Sequence, residues 1–254
     1  MGVTTDRDEQ TDALSPRSAS PAVARRRGRS KIALAVSVFG ELLITAGLVL
    51  GLFVVYSLWW TNVLADRKAD RQGDKVRDHW AAGEKDSGPG ALDVKDGIGF
   101  LHVPAMHNGE VLVEKGTSES ILNDGVAGYY TDPVKATLPT TGKTGNFTLA
   151  AHRDGHGAKF HNIDKLKNGD PVVFETKDDW YVYKVFAILP ETSKYNVEVL
   201  TAVPKQAGVT KPGHYITLTT CTPVYTSEYR YIVWGELERV EKVDGKRTPP
   251  KELG

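Results

Sequence analysis

The chain has 254 residues and a mass of 27.8 kDa, enough for one ordinary domain with appendages or two small domains. At 40% hydrophobic and 25% charged it can bury a sizeable core and is not compositionally disordered. Lys+Arg and Asp+Glu each total 32, which excludes a whole-protein basic field for nucleic acid; the single cysteine, Cys221, excludes an internal disulfide, a cysteine-based zinc knuckle and an iron–sulfur cluster.

The charge is unevenly spread. Residues 1–31 carry seven Lys/Arg against four Asp/Glu, and the stretch 14–30 is rich in Ser, Pro, Ala and Arg without apolar periodicity. This predicts a disordered, basic, cytoplasmic tail over 1–31. An apolar segment follows over 32–61. From Ile32 to Trp60 the only charge is Glu41, and the uncharged run from Leu42 to Ala65 has 24 residues, more than the roughly 20 that span a bilayer core. It ends in Tyr56, Trp59 and Trp60, an interfacial aromatic belt, and exceeds the apolar region of a cleaved signal peptide. The reading is a single uncleaved transmembrane helix in the plasma membrane. The basic cluster before it sets the N-terminus in the cytoplasm and the later chain outside, a bias that Arg67, Lys68, Arg71 and Lys75 reduce.

Residues 62–95 read as a polar stalk and linker. Asp66, Asp70, Asp74 and Asp78 recur every four residues, and basic residues three positions before the last three of them offset the repulsion. The pattern predicts a solvated helix over 62–80, a spacer of about 28 Å at about 1.5 Å per residue. Gly83–Gly90, with Pro89, then breaks the chain.

From 96 to 240 the pattern becomes mostly strand, with 241–254 as a C-terminal tail. Strands are predicted at Gly99–Pro104, Glu110–Glu114, Asn146–Ala151, Pro171–Thr176, Tyr181–Leu189, His214–Cys221 and Arg230–Arg239, with helical turns at Ser118–Asn123 and Phe160–Leu166. Seven or eight short strands in this span predict a mainly β fold, a closed or nearly closed eight-stranded barrel.

Cys221 ends the strand Tyr215-Ile216-Thr217-Leu218-Thr219-Thr220-Cys221. Alternation puts Ile216 and Leu218 on one face and Thr217, Thr219 and Cys221 on the other. A turn with Pro223 follows, and in an antiparallel hairpin Arg230 then falls within reach of the Cys221 sulfur, where its charge favours thiolate.

Thr217-Leu218-Thr219-Thr220-Cys221 with Arg230 behind it, and Phe147-Thr148-Leu149-Ala150-Ala151-His152-Arg153 upstream, resemble the signature of sortases. Gly99-Phe100-Leu101-His102-Val103-Pro104 resembles that family's first barrel strand, and the loop texture is most like the actinobacterial class E branch. The resemblance covers about residues 96–240 and implies a membrane-anchored cysteine transpeptidase with no cofactor. It implies Cys221 as the nucleophile that attacks the Thr–Gly carbonyl of a sorting signal, His152 as general acid and base, and Arg230 as the group that binds substrate carbonyls or the oxyanion. The implied partners are secreted proteins with a C-terminal sorting signal, Leu-Ala-x-Thr-Gly or Leu-Pro-x-Thr-Gly, and a lipid-linked peptidoglycan precursor. The connection Glu191–Gly213 is expected to wall the groove with Val197, Val199, Leu200 and Val203, with Tyr129 and Tyr130 opposite and Thr219 and Thr220 beside the thiol. The alternative reading is a catalytically lapsed, membrane-tethered barrel that binds cell-wall or protein ligands.

Other motifs carry less. His152, His156 and His161 match no common zinc spacing, so no metal is expected. Leu138-Pro139-Thr140-Thr141-Gly142 spells a sorting signal, but a β-domain follows it; it reads as a connection leading to the strand at Asn146.

Overall fold

The computed structural model describes residues 30–81 and 97–254. The tail expected over 1–31, apart from its last two residues, and the break at 83–90 lie outside the described residues. The chain divides into two compact units, 1–50 and 51–254. One helix, α1 (Lys31–Ala81), supplies the described part of the first unit and opens the second. Its N-terminal part exposes Ile32, Val36, Phe39, Leu43, Leu48 and Leu50, and α1 is long and apolar enough to cross a membrane.

In the second unit eight strands follow: β1 (Gly99–His102), β2 (Glu110–Lys115), β3 (Ala127–Tyr129), β4 (Gly145–Ala150), β5 (Pro171–Glu175), β6 (Asp179–Ser193), β7 (His214–Thr222) and β8 (Tyr229–Lys242). A single turn of helix, α2 (Glu119–Leu122), precedes β3. The strands close a barrel in the order β1-β2-β3-β4-β7-β8-β6-β5, the architecture expected from the strand pattern. Pairs β2–β3 and β4–β7 are parallel and the others antiparallel.

Strand alternation decides the core. On β4 and β7, Phe147, Leu149, Ile216 and Leu218 point into the barrel with Leu101, Val111, Phe174 and Val233. Their neighbours Thr217 and Asn146 lie buried on the outer face, where the Thr217 hydroxyl donates to Asn146 Oδ1 at 2.8 Å. A second apolar layer covers this face: Val199 and Leu200 from the β6–β7 connection pack on Ile232 and Trp234. The Trp234 Nε1–H donates to the Val199 carbonyl at 3.1 Å.

Two expectations change. β3 has no counterpart among the predicted strands, because Ala-Gly-Tyr is too short to show alternation. The polar segment after the apolar span is helical, but it is not a solvated spacer. Ala65, Ala69, Val76 and Trp80 are buried, and Trp80 meets Phe100 edge-on at 5.5 Å. Three of its charges pair with the barrel, Asp66 with Lys159, Lys68 with Asp124 and Arg77 with two carboxylates, while Arg67, Asp70, Arg71, Asp74, Lys75 and Asp78 are exposed. Arg77 donates to both oxygens of Glu175 at 3.0 Å and to Glu110 at 2.6 Å.

Glu175, at 1% exposure, is the centre of this attachment. His102 Nε2 lies 3.0 Å from it, and Arg247 of the C-terminal tail donates to it at 2.6 Å. Burial pushes the carboxyl up, but the hydrogen bonds from His102, Arg77 and Arg247 outweigh that and hold it at about 2. A carboxyl lowered from 4.5 to about 2 contributes stability that is complete above pH 4.5 and is lost as the pH falls towards 2. Replacing Glu175 by Gln takes the carboxylate from Arg247 and leaves Arg77 with Glu110 alone; thermal unfolding at neutral pH should show a loss of about 3 kcal/mol. The penalty should shrink as the pH is lowered through that window.

Candidate active site

The site forms where β4 and β7 end side by side. The parallel register runs Gly145↔His214 to Ala150↔Thr219. Past the end of β4 the pairing continues: the Ala151 N–H donates to the Thr219 carbonyl at 3.3 Å, and the Thr220 hydroxyl donates to the Ala151 carbonyl at 2.7 Å. Carried one residue further, this alignment sets His152 level with Cys221. On the other side of β7 the antiparallel register pairs Cys221 with Arg230 directly. Three strands adjacent in the barrel wall thus bring together residues 69 and 9 positions apart.

Cys221 is partly exposed at the strand end and is not disulfide-bonded. Arg230 is half-buried, and its Nη1 donates to the carbonyls of Ser227 at 3.2 Å and Tyr229 at 2.9 Å. These bonds fix the fork while its other nitrogens stay available for a carbonyl or an oxyanion. His152 Nε2 meets Asn123 Oδ1 at 2.8 Å, and its ring lies 5.4 Å from that of His156. Burial lowers His152 from the ordinary value of 6.5, and the charge of His156 lowers it further, against Glu119 and Asp154.

The expected groove residues divide. Tyr130 sits at the site. The Thr219 hydroxyl donates to the Leu149 carbonyl at 3.1 Å, so the Tyr130 hydroxyl is the donor in its 3.0 Å contact with Thr219. Burial raises Tyr130 above its ordinary value; the Arg230 charge opposes this and Cys221 adds to it, so the phenol lies in the field of both groups. Val199 and Leu200 lie in the same apolar layer as Tyr130, although both are buried, and Val197 is the exposed member of that turn. Tyr129 departs from the expectation: alternation turns it into the barrel interior, with 6% exposure. Thr219 and Thr220 are also buried, and their hydroxyls tie β7 to the chain of β4.

Sequence reasoning missed Arg153. At 6% exposure its guanidinium donates to the Thr222 hydroxyl at 2.9 Å, reaches the Cys221 carbonyl at 3.5 Å, and pairs with Asp164 at 3.3 Å. It lies 5.5 Å from the centre of the Tyr231 ring. The next residue, Asp154, accepts the Tyr225 N–H at 2.6 Å. The loop after His152 is thereby bolted to the turn after Cys221. The signal was adjacency to His152 in an otherwise apolar run, but only the register shows what Arg153 grips.

Two side issues resolve on geometry. His102, Glu110 and Glu175 bring ligand atoms within 4.8 Å of one another, yet guanidinium groups already take up the carboxylate oxygens, so the cluster is an ion-pair network. The signal-like segment 138–142 forms a 3-10 turn, Pro139–Thr141, closed by the Thr141 hydroxyl on the Leu138 carbonyl at 2.7 Å. It leads into the Gly145 end of β4, opposite the end that carries His152.

The family model of the sortase domain matches residues 101–238. The chain belongs to the sortase family. It is 70% identical to Sortase SrtE2 of Streptomyces coelicolor over the full length of both chains. It is 45% identical to Sortase SrtE1 of the same organism over 84% of this chain and 61% of that one. The crystal structure of Sortase E1 from Streptomyces coelicolor, solved with a tripeptide in its active site, superposes with a TM-score of 0.59 and 46% identity over 62% of this chain and 96% of that one. Sortase E from Streptomyces avermitilis gives 0.53 and 31% over 62% and 97%. This sortase is therefore a cysteine transpeptidase of the class E branch, a family that acts on proteins bearing sorting signals and on cell-wall precursors.

In this sortase Arg153→Met should release the Cys221 carbonyl and the Thr222 hydroxyl and leave Asp164 with Lys165 alone. The expected loss is about 2 kcal/mol of stability by thermal unfolding, with transpeptidation at least about tenfold slower. A parent-like melting temperature and rate would remove Arg153 from this role.

Proposed function

We propose that this sortase cleaves a C-terminal sorting signal of the Leu-Ala-x-Thr-Gly or Leu-Pro-x-Thr-Gly type between Thr and Gly. The protein is then passed to an amine of a lipid-linked peptidoglycan precursor. The observation that carries the reading is the pairing of Cys221 with Arg230 on one side of β7 and the alignment with His152 on the other. The Cys221 thiolate attacks the Thr carbonyl carbon, and Arg230 stabilises the oxygen as it gains charge. The C–N bond breaks, and the leaving glycine amine takes a proton from His152, which leaves a thioester on Cys221. The incoming amine gives a proton back to His152 as it attacks the thioester, and Cys221 departs as thiolate.

The apolar part of α1 anchors the enzyme in the plasma membrane, with the N-terminus cytoplasmic and the barrel outside. Both substrates are membrane-bound before reaction, so the anchor raises their effective concentration. Tyr130, backed by the packed side chains of Val199 and Leu200, forms the wall that receives the apolar end of the signal.

The direct check is transfer from a signal peptide to an amine acceptor by the full chain in detergent. Cys221→Ala should abolish both cleavage and transfer; cleavage at a bond other than Thr–Gly would overturn the assignment. The productive state combines thiolate with protonated His152, so the rate should follow a bell in pH whose acid limb reports the group of lower value. Because His152 is held below 6.5, that limb should lie below 6.5. His156→Gln removes a charge that disfavours the imidazolium, so His152 rises and the acid limb moves to higher pH. A limb that stays in place in H156Q would break the link between these two rings.

A further inference from the structure

The polar half of α1 meets the barrel in two places. One is the Glu175 network. The other comprises the two loops on either side of the His152 ring. Before β3, Asp124 pairs with Lys68 of the helix, and Gly125 presses against Ala65 so closely that a Cβ there would lie 2.9 Å from the Ala65 backbone. Gly125 also holds a φ of +77°, so its close approach needs glycine twice over. After β4, the Gly157 N–H donates to Asn62 Oδ1 at 2.9 Å, and Lys159 Nζ pairs with Asp66 Oδ1 at 2.9 Å. Asn62, Ala65, Asp66 and Ala69 recur three or four apart, so one face of α1 holds both loops. Between these loops Asn123 Oδ1 meets His152 Nε2.

We propose that residues 62–69 of α1 are a positioning element of the sortase reaction, clamping the loops around His152 so that Asn123 fixes the imidazole with a proton on Nε2. An amide oxygen only accepts, so Nε2 donates to it in both the neutral ring and the cation. Nδ1 is then the nitrogen that exchanges protons with the thiol and the substrate amine. This rests on the reading of His152 as general acid and base. The charged groups around the ring are His156 and Asp154 of its own loop and Glu119 of α2; Asp66 with Lys159 and Lys68 with Asp124 are paired across the helix contact. Asn123 orients the ring without adding a negative charge, which an aspartate there would do.

The test uses the full chain in detergent micelles and two readouts. One is peptide transfer, resolved into kcat and KM. The other is the pH dependence of alkylation by iodoacetamide, which reports on one thiol because Cys221 is the only cysteine. Asn123→Ala should lower kcat by about 10- to 100-fold with KM little changed, the usual cost of losing an orienting partner. It should also displace the low-pH limb of the alkylation profile. Asn123→Asp keeps an acceptor and adds a charge that favours the imidazolium, so it should recover part of kcat and move that limb to higher pH. The pair Asn62→Ala with Asp66→Ala should lower kcat about five- to tenfold and displace the limb in the same sense as N123A, whereas Asn62→Asp, which keeps the acceptor for Gly157, should recover most of it. Parent-like kcat and an unmoved limb in N123A would overturn the proposal, as would a loss confined to KM in the Asn62 and Asp66 pair. His152→Ala separates the two levels: if it leaves both readouts at parent values, the acid–base reading itself fails, whereas an effect in H152A alone refutes only the clamp.

Discussion

The parallel pairing of β4 with β7 is the constraint on which the site depends. A hairpin can bring Cys221 to Arg230, because the two strands are consecutive and antiparallel. It cannot bring a histidine 69 residues upstream to the same place. Parallel neighbours need a long crossover, and here it comprises β5, β6 and their loops, which travel round the barrel before β7 inserts beside β4. Closing the barrel and assembling the site are one event. The contacts that pin this seam are polar: Thr217 on Asn146, Thr219 on the Leu149 carbonyl, Thr220 on the Ala151 carbonyl and Arg153 on the end of β7. Such groups are costly to bury unpaired, so each disfavours any other register.

The same economy explains the outer face. A barrel of this size fills its own interior with side chains, as the packed cluster here does. Ile232 and Trp234 alternate outward from β8 and would be exposed without the β6–β7 connection laid over them. That connection is held by its 3-10 turn at Val197–Leu200 and by the Trp234 indole on the Val199 carbonyl. The connection is therefore part of a packed layer, with Tyr195 and Val197 exposed at its edge.

Glu175 plays a comparable part on another side of the barrel. Two arginines distant in sequence, Arg77 of α1 and Arg247 of the tail, converge on one buried carboxylate, with the Trp80 ring beside both guanidinium groups at 5.8 and 4.6 Å. Buried ion pairs add little net stability when they replace apolar packing, but they penalise wrong partners strongly. The network thus specifies where the helix and the tail must lie, more than it adds to the total stability.

The family, the barrel and the apolar span were legible in the sequence because their patterns are local. Cys221, Arg230 and His152 sit at the ends of strands whose alternation is plain, and the apolar span declares itself by length. Five features were decided only in three dimensions. β3 is too short to carry a period, and its existence depends on two neighbours. Tyr129 and Tyr130 look equivalent in the chain, but the pleat sends one into the core and the other to the site. Arg153 and Asn123 acquire meaning from what they touch across the register. The helix after the apolar span has a charge pattern that satisfies itself on paper, so its sequence reads as solvated. In the fold, Lys68, Asp66 and Arg77 find partners on the barrel, and the small residues Ala65 and Gly73 let the Gly125 backbone and the Phe100 ring approach. Local pattern determines which residues can do the chemistry; long-range register and docking decide which of them meet, because those contacts are stabilised by partners that no window of sequence contains.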